Sequence, residues 1–120
     1  MPDSRIQALI GQVAYDRLRH DLFALCQDPL PFRKLNYTVP GHEKCSLYEA
    51  DDFIAAELAA AGYAVEREPC QVQCYRCDSS KPKAHQYSPP EPDDPWYTAY
   101  NLLARKAGTD RADEIIVIVA

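Results

Sequence analysis

Three cysteines in one short segment, Cys70, Cys74 and Cys77, are the residues whose type and spacing most suggest chemistry. Their Cys-x-x-x-Cys-x-x-Cys spacing would suit three thiolates on an iron–sulfur cluster, and with His85 close by it would also suit zinc. Backbone geometry argues against the full set. A strand rises about 3.3 Å per residue, which puts Cys70 and Cys74 about 13 Å apart, whereas thiolates sharing one zinc sit about 2.3 Å from it. A chelating Cys74/Cys77 pair requires a turn at Tyr75 and Arg76, so the alternative to simple half-buried thiols is a structural zinc held by Cys74, Cys77 and His85. Cys26 and Cys45 are expected to pack on helices. His20, His42 and His85 lack the short spacing of paired metal-binding histidines. No Ser/His/Asp or Cys/His grouping is present, and the four glycines form no phosphate-cradling loop. The residues alone therefore assign no catalytic side chain and no catalytic metal ligand.

The balance of the chain narrows the partners. A formal net charge of −5 and a pI near 5.1 disfavour nucleic acid, whose affinity comes mainly from Lys and Arg neutralising phosphates. No apolar run approaches the ~20 residues of a membrane helix, and Asp3 and Asp16 interrupt any signal-peptide core. The expectation is a cytoplasmic protein without nucleic-acid or membrane partners. Its five cysteines, an odd number, are then most simply free thiols. Length and a 47 % hydrophobic content suit a single domain.

Around the cysteines, the pattern predicts two helices followed by strands. Ile6, Leu9, Ile10, Val13, Leu18, Leu22 and Leu25 recur at helical spacing, predicting one helix over about 4–27. Pro29, Pro31 and Pro40 mark a loop. A second helix is predicted over about 43–61, with Ser46 and Glu49 at capping-box spacing and Gly62 in place for a left-handed C-terminal stop, followed by Tyr63. Its acids Asp51, Asp52 and Glu57 are assigned to a solvated face. Alternation predicts a strand over about 63–75, with Pro69 marking an edge or bulge. A proline-rich loop at 78–95 follows, then an aromatic strand over about 97–106.

The last run, 114–120, contains five consecutive β-branched residues, Ile115, Ile116, Val117, Ile118 and Val119. Such a run predicts a strand buried on both faces, joined to the preceding one by a turn around Gly108 short enough for an antiparallel pair. The fold class is thus α/β: two N-terminal helices and a mixed sheet of about three strands. These helices leave one face of the sheet uncovered. The exposed terminal strand invites self-association.

Segment 38–65, TVPGHEKCSLYEADDFIAAELAAAGYAV, resembles the stretch with which zinc-dependent exopeptidases of the bacterial leucyl aminopeptidase type open. Tyr100, Asn101, Leu102, Leu103, Ala104 and Arg105, with Gly108 after them, look like that family's strand of Asn, two aliphatics and Ala before a glycine turn. Segment 114–120 looks like the apolar strand that follows. The resemblance implies the opening of a three-layer α/β/α fold, a peptide substrate, and two zinc ions in the parent enzyme. The first ligands of that family are a histidine just beyond this strand and an aspartate two positions later. It therefore implies no catalytic or metal-binding residue within these 120, which are expected to be inactive alone and to hold no zinc. The competing expectation is a complete small α/β binding domain without catalysis.

Overall fold

The computed structural model describes residues 3–111 and 113–119. Among the described residues, three helices and antiparallel strands place it in the general α/β class. Within the third helix the chain divides into two compact units, Met1–Ala50 and Asp51–Ala120.

In the first unit the helix predicted over 4–27 is two helices, α1 (Ser4–Ile10) and α2 (Tyr15–Cys26). Asp3 caps α1, its carboxylate accepting from the Arg5 amide at 2.8 Å. The helix stops at Gly11, whose N–H returns to Gln7, and Gln12 and Val13 donate to Leu9 and Ile10 in tighter turns. A glycine in a helix interior costs about 1 kcal/mol relative to alanine, and little burial offsets that here. Leu18 and Leu22 on the apolar stripe are each 61 % exposed, and Ala24 is the one buried residue of α2.

The small core of this unit contains Ala24, Leu30, Ser46 and Ala50. Leu30 is held there by its amide donating to the Ala24 carbonyl at 3.2 Å. In the loop, the rings of Phe32 and Tyr37 meet edge-to-face at 5.5 Å.

Helix α3 (Ser46–Ala60) begins by a different device from the predicted capping box. The Ser46 hydroxyl accepts from the Lys34 amide at 3.0 Å and donates to the Lys34 carbonyl, while the Ser46 amide donates to Tyr37 at 2.8 Å. Glu49 meets His42 Nδ1 at 2.8 Å. The serine thus clips the preceding loop to the helix start, where its polar group is fully buried and must find a partner.

The end of α3, in the second unit, follows the sequence. Gly62 adopts φ +84°, its N–H donates to Ala59 and that of Tyr63 to Leu58, the two bonds of a Schellman motif. Lys106 Nζ donates to the Ala61 carbonyl at 3.0 Å and lies 5.3 Å over the Tyr63 ring.

From this stop the chain enters β1 (Ala64–Gln73), which pairs antiparallel with β4 (Trp96–Arg105) over ten residues, from Ala64 opposite Arg105 to Gln73 opposite Trp96. Pro69 lies in the ladder opposite Tyr100. Each strand of a two-stranded sheet has an open edge, where a missing donor is tolerated.

The predicted loop carries structure of its own: β2 (Arg76–Cys77), a 3₁₀ turn (Lys83–His85) and β3 (Tyr87–Ser88). β2 and β3 pair antiparallel. Among the described residues, two separate antiparallel pairs therefore stand in place of the mixed three-stranded sheet expected from the sequence.

Residues 114–119 belong to no strand among the described residues. Residues 115–119 are between 76 % and 89 % exposed. An apolar strand forms when burial offsets the backbone entropy of about 1–2 kcal/mol per residue, and no such burial is present in the described structure.

Candidate functional site

The cysteine segment carries the spacing most suggestive of chemistry. β1 ends at Gln73, so Cys70 lies in the ladder, Cys74 just past its end, and Cys77 in β2 opposite Tyr87. Cys70 donates from Sγ to the Ala99 carbonyl at 3.6 Å. Cys70 and Cys74 are half-buried, and Cys77 is exposed, as is Cys26, contrary to the packing on its helix that the sequence predicts. His85 ends the 3₁₀ turn. Among the described residues no group of three or more His, Cys, Asp or Glu side chains could hold a metal ion. The alternative zinc set Cys74, Cys77 and His85 is thus not brought together. The turn that a chelating Cys74/Cys77 pair requires at Tyr75 and Arg76 is not formed: Cys74 and Tyr75 are irregular, and Arg76 and Cys77 are extended in β2, paired with β3.

What organises this loop is Arg76. Its Nε and Nη2 grip both oxygens of Asp94, at 2.7 and 2.9 Å, and its Nη1 reaches Glu91 Oε1 at 2.6 Å. Asp94 Oδ2 also accepts from the Glu91 amide at 2.7 Å. Gln73 Nε2 donates to the carbonyls of Glu91 and Asp94. Arg76 pulls the Asp94 carboxyl below its ordinary pKa, with the Glu91 amide adding to the effect. A bidentate arginine–carboxylate pair fixes orientation as well as distance, so the proline-rich segment is tied to the end of β1. The partners lie 15 and 18 residues from Arg76, a separation that no local sequence rule detects.

The third locus lies on α3. Asp51, assigned by the sequence to a solvated face, is 7 % exposed, and its Oδ2 is buried without a hydrogen-bond partner among the described residues. Burial raises its pKa most, Arg67 opposes that, and neighbouring Asp52 adds to the rise. Asp52 is engaged by Arg67 Nη2 at 2.5 Å, and the Arg67 guanidinium lies 6.0 Å from the Tyr100 ring centre. A signal for this was present. Asp51 is four residues after Leu47 and three before Ile54, on the apolar stripe that continues to Leu58.

These loci offer a free-thiol segment, a clamped loop and an acid pair answered by one arginine; they assemble no nucleophile with its base. Among the described residues no helix is long and apolar enough to cross a membrane. Comparison with protein-family models, curated proteins and solved structures found no match to this chain.

Proposed function

We propose that this chain is the opening portion of a cytoplasmic zinc-dependent exopeptidase, an aminopeptidase that removes N-terminal residues from peptides. The observation that carries the proposal is the run 115–119, large β-branched side chains left between 76 % and 89 % exposed. Each such side chain gains about 1.5–3 kcal/mol on burial, so in this reading the run is a central strand of a larger α/β/α sheet. The order of elements lends support. α3 closes on Gly62, feeds β1, and β1 pairs with the strand bearing Asn101, Leu102, Leu103 and Ala104, the succession on which the family resemblance rests. The described residues do not supply a metal set, and none is assigned to the two-zinc centre that in this reading activates the attacking water. The contribution of this chain is architectural, since ligands in open α/β sheets bind beyond the carboxyl ends of the strands.

The test is the source gene beyond residue 120. A histidine soon after that position, with an aspartate two residues further, is the expected pattern; a stop codon or a continuation without it overturns the proposal. Expressed alone, the chain should self-associate through 115–119. A monodisperse monomer at high concentration in sedimentation, with cooperative unfolding, would remove the reason for covering the run.

A second reading, a non-enzymatic α/β binding domain, is favoured by the Arg76 clamp, which gives the 78–95 loop a defined shape. Metal analysis separates its zinc-stapled form: about one tightly held zinc per chain, lost in Cys74→Ser, would support it.

A further inference from the structure

We draw no further inference here: the strongest candidate, the buried Asp51 carboxylate on α3 beside the Asp52–Arg67 pair, has an occluded oxygen with no partner and no third ligand-type side chain gathered with it among the described residues, so nothing there points to a ligand.

Discussion

Replacing Gly62 by alanine tests the link between α3 and β1 most directly, because two effects of opposite sign compete and the structure decides between them. Alanine restricts the unfolded chain, which by itself stabilises a protein by roughly 0.4–1 kcal/mol. At φ +84°, however, an L side chain occupies the left-handed region, at a cost of roughly 1–2 kcal/mol. Space is not the issue. The nearest atom to an added Cβ is Lys106 Nζ at 3.5 Å, an ordinary contact with the end of a flexible side chain. The net expectation is a loss of about 1 kcal/mol, which lowers a urea midpoint by roughly 0.5 M for a slope of about 2 kcal/mol/M. Gly62→Asn should lose less, since asparagine visits this region more readily. Gly11 is the internal control. At φ −64° it is right-handed, and an added Cβ would lie 3.5 Å from the carbonyl oxygens of Ala8 and Gln7, so Gly11→Ala should stabilise by roughly 0.4–1 kcal/mol. Equilibrium urea unfolding of the three variants, at chain concentrations low enough that the midpoint no longer depends on concentration, reads all of these values. If Gly62→Ala is as stable as the parent chain, or shifts in the same direction as Gly11→Ala, the Schellman stop is wrong.

For Asp51, a folded-state pKa raised by burial means that the favourable contribution is complete below the ordinary carboxylate pKa and is lost as pH rises through the raised value. Asp51→Asn should therefore be more stable than the parent at pH 7, by on the order of 1 kcal/mol, with the gap closing towards pH 3; a gap that widens on acidification would refute this. Ser46→Ala removes both hydroxyl bonds to Lys34 and should destabilise by about 1–2 kcal/mol, whereas an unchanged unfolding midpoint would mean the clip is dispensable. Arg76→Lys keeps the charge but loses the two-pronged grip on Asp94. Amide exchange and limited proteolysis within 78–95 should speed up while the global midpoint holds, and unchanged protection there would show that Arg76 does not order the loop.

Where a local rule had a local cause, the structure could be read in the chain. Glycine followed by tyrosine at the end of an apolar helical stripe marked the α3 stop, and alternation beyond it marked β1. Failures arose where distant residues competed for a group that the local rule had already assigned. Ser46 and Glu49 have the spacing to cap one another, yet Lys34 and Tyr37 hold the serine and His42 meets the glutamate. The charge of Asp51 predicts a solvated position, whereas its place between Leu47 and Ile54 puts it on the buried stripe.

By itself the sequence determined the helix-then-strand order, the Gly62 stop, the acidic balance and the apolar character of 115–119. These follow from backbone preference and side-chain chemistry within a few neighbouring residues. Tertiary structure decided that Cys74, Cys77 and His85 do not converge, that Arg76 reaches Glu91 and Asp94 to tie down the proline-rich loop, and that Asp51 is buried without a partner for Oδ2 among the described residues. It also left 115–119 exposed instead of forming a strand. Side-chain chemistry makes that run a candidate strand; partners for its edges and faces make it a real one, and spacing along the chain cannot specify them.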